Sequence, residues 1–210
     1  MSRRLMVLDV DSTVITSEVI ELIAERAGTQ ERVHEITEAA MRGEIDFAQS
    51  LHERVATLAG VSDSVFAGVL AEVEFTPGAE RLISTLHARG WITALVSGGF
   101  AEVVEPLAAR LDITRFRANR LEAADGVLTG RVTGPVIDAA AKAQALRDYA
   151  AAESIVLADT VAVGDGANDL EMMAAAGLGI AFNAKPLVQQ QADVAVNGPR
   201  LDAVLDVLDR

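Results

Sequence analysis

Apolar and polar positions along the chain follow two periods, one near 2 and one near 3.6. Leu5-Met6-Val7-Leu8 is an apolar run that meets Asp9-Val10-Asp11, and it predicts a buried first strand over about Leu5–Val10. From Val14 to Phe75 the period is helical, with no convincing strand. Helices are predicted near Ser17–Ala27, Thr29–Met41, Ile45–Ala59 and Ser62–Val73. Val19, Ile20, Ile23 and Ala27 form the apolar stripe of the first, and Gly28 stops it. Gly43 and Gly60 separate the others. The strand–helix pattern resumes at Thr76-Pro77-Gly78, where Thr76 reads as an N-cap, Pro77 as the first helical residue and Gly90 as the stop. Ile92–Val96 predicts a buried strand ending at Ser97-Gly98-Gly99, and a helix follows to about Arg110. Asp125-Gly126 between Phe116–Leu121 and Val127–Val132 predicts a hairpin. A helix over Ala139–Ala152 carries Lys142. The strand Thr160–Val163 runs into Gly164-Asp165-Gly166-Ala167-Asn168-Asp169 and another helix. Gly179–Phe182 and Val194–Val196 are the last strands. Strands alternating with helices predict an α/β fold on a parallel sheet. The helical block 14–75 reads as an insertion into a core made of residues 1–13 and 76–210.

Composition supports that picture. Half of the 210 residues are apolar, aromatics are 4 %, and Ala, Val and Leu dominate, which suits helices packed on a buried parallel sheet. There is no cysteine, so disulfides are excluded and an intracellular site is compatible; the expected location is the cytoplasm. The apolar run after Arg3 and Arg4 meets Asp9 too soon for a secretory signal. No segment approaches the roughly 20 apolar residues of a membrane span. A net charge of −13 argues against a nucleic-acid partner, and an anionic substrate would need local cations.

Four polar groups fall at or just after strand C-termini, where open α/β sheets bind ligands. On a strand, Asp9 and Asp11 would share a face, and a hard divalent cation would relieve their repulsion. The same pair also suits a turn that caps the next helix. Ser97-Gly98-Gly99 offers close backbone approach to a phosphate, or a plain turn. Lys142, among alanines at a helix start, opposes the helix dipole unless an anion compensates, yet lysine is ordinarily solvated. Asp165, Asn168 and Asp169 around two glycines offer oxygen donors, or a helix cap. Together, Asp9, Asp11 and Asp165 could surround Mg²⁺ while Ser97 and Lys142 hold a phosphoryl group, which fits phosphoryl transfer through a carboxylate nucleophile. His34, His52 and His87 show no metal spacing, and Trp91 and Tyr149 read as packing.

In this order the four groups resemble the motifs of the haloacid dehalogenase-like phosphatases. Glu18, Met41-Arg42-Gly43-Glu44-Ile45-Asp46-Phe47, Arg54, the run Asp159–Asp165, Met172 and Ala184-Lys185-Pro186 are similar to the phosphoserine-specific branch of that superfamily. The resemblance covers essentially the whole chain. It implies a Rossmann-like core with helices on both faces and a small helical cap (C1 type) formed by residues 14–75. It implies Asp9 as nucleophile and Asp11 as acid, then base. Mg²⁺ would be held by Asp9, Asp165 and the Asp11 carbonyl, with Asn168 and Asp169 nearby. Ser97, Gly98, Lys142 and Asn168 would bind the phosphoryl end. Glu18 would meet a substrate ammonium and Arg54 a carboxylate, with Met41 and Phe47 excluding water. From the residues alone, Arg54 is not distinguishable from Arg26, Arg32 or Arg42.

The implied activity is hydrolysis of O-phospho-L-serine to L-serine and phosphate, the last step of L-serine biosynthesis, in a monomer or homodimer. Transfer of the phosphoryl group to another alcohol such as homoserine is a second reading. Action on another phosphomonoester such as phosphoethanolamine is a variant, against which Arg54 argues, since that molecule has no carboxylate. A non-catalytic phospho-ligand sensor is a third. Many longer members carry an N-terminal amino-acid-sensing domain. With the nucleophile at residue 9, none is expected here.

Overall fold

The structure, a computed structural model, describes residues 4–41 and 44–209, apart from the Met41 side chain. In chain order the elements are β1 (Leu5–Leu8), α1 (Val19–Ala27), α2 (Gln30–Met41), α3 (Phe47–Ala56), α4 (Val65–Glu72), α5 (Ala79–Ala88), β2 (Ile92–Phe100) and α6 (Ala101–Arg110). Then follow β3 (Phe116–Ala124), β4 (Val127–Thr133), α7 (Ala139–Ala152), β5 (Thr160–Gly164), α8 (Leu170–Ala175), β6 (Leu178–Phe182), α9 (Pro186–Gln191), β7 (Val194–Val196) and α10 (Val204–Leu208). The seven strands form one sheet in the order β4-β3-β2-β1-β5-β6-β7. All neighbouring pairs are parallel except β3–β4, which is the expected hairpin. Its turn residues Asp125 and Gly126 both have positive φ, 52° and 78°, as a tight hairpin requires.

β1 lies at the centre, and its four residues are fully buried. Met6 and Leu8 join Leu82, Val104 and Val204 on one face, under α5, α6 and α10. Leu5 and Val7 join Leu146, Met172 and Val188 on the other, under α7, α8 and α9. Burial on both faces is why β1 reads as a continuous apolar run. The helices α1–α4 stand between β1 and α5 in the chain. The chain enters and leaves them side by side: Thr76 N–H donates to the Val14 carbonyl (2.9 Å) and Thr16 N–H to that of Glu74 (3.1 Å). This group also reaches the hairpin, where Leu128 N–H donates to Val61 O (2.8 Å) and Gly60 N–H to Leu128 O (2.9 Å).

Several boundaries differ from expectation, each for a local reason. β1 stops at Leu8, not Val10, because the chain turns into a wide helical loop over Val10–Val14, with Ser12 at φ 56°. Strand alternation therefore does not set the directions of Asp9 and Asp11. β2 continues through Ser97-Gly98-Gly99 to Phe100 instead of ending before them. Gly78, at φ 87°, takes the N-cap position of α5 expected for Thr76. α3 begins only at Phe47, because Asp46 caps it by accepting from Gln49 N–H (2.8 Å).

Candidate active site

The C-terminal ends of β1, β2 and β5 converge, and with the start of α7 they carry the polar cluster. β1 delivers Asp9, whose N–H donates to the Val163 carbonyl of β5 (2.9 Å). α7 starts at an N-cap, Asp138, which accepts from Ala141 N–H (2.8 Å). One residue further on, Lys142 points inward and is fully buried. Its ammonium donates to Asp9 Oδ1 (2.6 Å) and Asp169 Oδ1 (2.7 Å). The ordinary reading of Lys142 as a solvated lysine is thereby excluded. Asp169 Oδ2 in turn accepts from Gly166 N–H (3.1 Å). The loop after β5 is thus folded onto its own carboxylate. A side chain at Gly164 would collide with Asp169, its Cβ falling 2.4 Å from the carboxyl carbon.

Asp9, Asp165 and Asp169 each offer a carboxylate oxygen, and these oxygens lie within 4.8 Å of one another. One ammonium does not neutralise three such groups. Burial and Asp169 raise the Asp9 pKa well above its ordinary value, against the pull of Lys142. Burial, then Asp169, pushes Asp165 up to about 6, although Thr13 Oγ1 donates to Asp165 Oδ1 (3.1 Å). For Lys142, burial works against the charge, but Asp169 and Asp9 outweigh it and raise its pKa. A crowded, oxygen-only, electron-rich cluster fits a hard cation. The third carboxylate is Asp169, not Asp11 as strand geometry suggested.

Asp11 has been turned away. Its Oδ1 accepts from Val19 N–H (3.0 Å) at the start of α1, and its Oδ2 from the Ser97 hydroxyl (3.2 Å). Loss of surrounding water, then the nearby Glu18 charge, pushes its pKa up to about 7. It therefore both caps a helix and stands ready to carry a proton near neutrality, so the two readings of Asp9-x-Asp11 are compatible.

Opposite Asp11, β2 bulges. Val96 pairs with Arg117 and Phe100 with Asn119, so Ser97, Gly98 and Gly99 face Ala118 alone. Ser97 Oγ accepts from Gly99 N–H (2.8 Å). Gly98 lies against α3: a Cβ there would fall 2.9 Å from Phe47 Cζ and 3.7 Å from Asn168 Nδ2. A Cβ on Gly99 would fall 2.5 Å from Asp11 Oδ2. Crowding, not an unusual φ, bears on the two glycines: a side chain at Gly98 would displace the Phe47 ring, and one at Gly99 the Asp11 carboxylate.

Glu18, at the start of α1, and Phe47 and Arg54 of α3 stand on the same side. Glu18 Oε1 accepts from Ser12 Oγ (2.7 Å). Arg54 Nε donates to the Ser50 carbonyl (3.2 Å), and burial lowers its pKa against the opposing charges of Glu18, Asp11 and Glu21. The structure thus brings Asp9, Asp11, Glu18, Phe47, Arg54, Ser97, Gly98, Lys142, Asp165, Asn168 and Asp169 to one place. The Met41 side chain lies outside the described residues. Sequence reasoning missed Asn119, whose side chain bonds both Gly98 O and Ile137 N–H at 2.8 Å. The available signal was a polar residue two positions from Leu121, on the buried face of its strand.

The family profile of the haloacid dehalogenase-like hydrolases matches residues 6–174. A phosphoserine phosphatase of Streptomyces coelicolor is 56 % identical over 99 % of this chain, which spans 50 % of that longer protein. The phosphoserine phosphatase of Streptococcus thermophilus is 50 % identical over 98 % of this chain and 95 % of its own length. A solved structure described as a phospho-aspartyl intermediate analogue of phosphoserine phosphatase superposes with a TM-score of 0.93, at 41 % identity over 99 % of both chains. The chain therefore belongs to the haloacid dehalogenase-like hydrolases, and within them to the phosphoserine phosphatase family.

Proposed function

We propose that this chain hydrolyses O-phospho-L-serine to L-serine and phosphate through an aspartyl phosphate on Asp9. The observation that carries the reading is the unequal setting of two neighbouring carboxylates. Asp9 is locked beside Lys142 in the acidic cluster, whereas Asp11 faces away from it with a pKa pushed up to about 7.

Asp9, Asp165 and the Asp11 main-chain carbonyl would hold Mg²⁺, with Asp169 supporting. When bound, the cation supplies neutralising charge for the phosphoryl oxygens. Lys142, Ser97 Oγ and Gly98 N–H hold the phosphoryl group, and Asn168 closes its other side. Asp9 attacks phosphorus as the bond to the serine oxygen breaks, and Asp11 gives its proton to that oxygen. A water then attacks phosphorus, Asp11 takes its proton, and the bond from Asp9 to phosphorus breaks. The helical insert acts as a cap over these steps. Glu18, oriented by Ser12, faces the substrate ammonium. The Arg54 guanidinium grips its carboxylate, for which a planar fork is well suited. Phe47 keeps bulk water from the acyl phosphate. The relatives' activity and the phospho-aspartyl analogue support this reading.

The test is phosphate release from phosphoserine and phosphoethanolamine with and without Mg²⁺, and with homoserine as a competing acceptor. The reading expects Mg²⁺-dependent release, with phosphoserine strongly preferred. No release from phosphoserine, or phosphohomoserine exceeding free phosphate, would sink it.

A further inference from the structure

The bulge in β2 creates a problem that one side chain solves. Three residues of β2 face one of β3, so the Gly98–Gly99 peptide leaves the regular ladder. A buried carbonyl left without a partner is costly, and a peptide between two glycines meets little steric resistance to reorientation. Asn119 is buried, with 1 % of its surface exposed. Its Nδ2 donates to the Gly98 carbonyl (2.8 Å). The other end of the same peptide, Gly99 N–H, donates to Ser97 Oγ (2.8 Å), and that hydroxyl donates to Asp11 Oδ2 (3.2 Å). The Asn119 amide therefore holds one end of a chain that ends on the acid.

The second arm of Asn119 reaches the other half of the site. Its Oδ1 accepts from Ile137 N–H (2.8 Å). Ile137 precedes Asp138, the N-cap whose carbonyl accepts from Lys142 N–H (2.9 Å). One planar amide thus sets the spacing between the Ser97–Gly99 bulge and the first turn of the helix carrying Lys142. Those two segments are about 40 residues apart in sequence, and the amide adds a polar link to the apolar packing of Ala94 and Val96 against Ile137 and Leu146.

We infer that Asn119 is a positioning residue for catalysis: it registers the phosphate-binding bulge against Lys142 and fixes the position of Ser97 Oγ beside Asp11, from which that hydroxyl turns to the phosphoryl group when substrate binds. The inference rests on the phosphate-binding role given above to that bulge and Lys142. It does not depend on which phosphomonoester is used.

Asn119→Leu is close in size and removes both arms. Asn119→Asp keeps the acceptor for Ile137 and, when ionised, loses the donor to Gly98. Both are compared with wild type at pH 8, using the phosphomonoester that the wild type turns over fastest. The readouts are kcat, KM, the inhibition constant of inorganic phosphate, and Tm. The expected result is a kcat lowered roughly 10- to 100-fold per folded molecule, the scale of misplacing a catalytic group by about an ångström. Phosphate inhibition weakens as well, whereas a purely structural residue would lower Tm and leave both intact. Folded variants with wild-type kcat and phosphate affinity would overturn the proposal. If neither variant folds, the Asn119 side-chain amide resonance of the wild type is followed during titration with inorganic phosphate and Mg²⁺. A shift saturating with phosphate supports the role, and an unmoved resonance refutes it. A wild type that turns over no phosphomonoester instead removes the catalytic reading itself.

Discussion

At the scale of single residues, the account turns on two aspartates with different neighbours. Asp9 shares Lys142 with Asp169, while Asp11 is held by Val19 N–H and Ser97 Oγ. Asp11→Asn keeps these shapes but cannot exchange a proton. It is expected to slow both formation and breakdown of the phosphoenzyme, each by about 10²- to 10⁴-fold, and rapid-quench kinetics would separate the two steps. Slowing of only one of the two steps would contradict a dual role. Lys142→Met leaves two buried carboxylates without their cation, and its expected cost is about 3–5 kcal/mol by denaturant unfolding. These residues were visible in the sequence as carboxylates and glycines at strand ends and a lysine at a helix start. Their partners were not. Nothing in the order of residues says that Asp169 would displace Asp11 from the acidic cluster, because that depends on how the loop Gly164–Asp169 folds back on itself.

At the scale of elements, α7 presents Lys142 in its first turn, and Asp138 secures that turn through Ala141 N–H. Asp138→Ala is expected to cost about 1 kcal/mol of stability. It should lower kcat more than it raises KM for the amino-acid end of the substrate, since Glu18 and Arg54 lie on other elements. A variant with unchanged kcat would detach the cap from the site. Long periodic stretches were legible: β5, α6, α7 and the β3–β4 hairpin fall close to where periodicity and Asp125-Gly126 put them. The ends were less so, and the misses fall at the site. β1 ends early and β2 runs on because a carboxylate-bearing turn and a glycine bulge replace regular pairing there. Local propensity does not report that change, since its partners, Val163 and Asn119, are distant in sequence.

At the scale of the whole molecule, a chain of net charge −13 has buried several carboxylates together. Asp11 and Asp165 are pushed up to about 7 and about 6, and Asp9 is raised too, all chiefly by burial. An unfolded chain would release those protons near pH 4. Between about pH 4 and 7 the folded, metal-free protein therefore holds more protons than the unfolded one, and its stability falls as pH rises through that window. Thermal melts in chelator are expected to show Tm declining from pH 5.5 to 8. Added Mg²⁺ should restore it most at the upper end. A Tm that rises across this range in chelator would mean that the cluster is not strained by its own charge. The largely parallel sheet and the run of helices α1–α4 were legible as a whole, from strands alternating with helices around one long helical block. The tether between the α3–α4 loop and the hairpin at Gly60, Val61 and Leu128 was not, because it joins backbone groups and leaves no mark on side-chain pattern.

The central claim, that Asp9 carries the phosphoryl group, is tested most directly by trapping the covalent intermediate. The protein is mixed with phosphoserine and Mg²⁺, quenched in acid within a turnover, digested and mapped by mass spectrometry. The account predicts phosphate on Asp9 in the wild type, and none in Asp9→Asn, which should also release no phosphate. Covalent phosphate on any other residue, or phosphate release by Asp9→Asn at the wild-type rate, would contradict it.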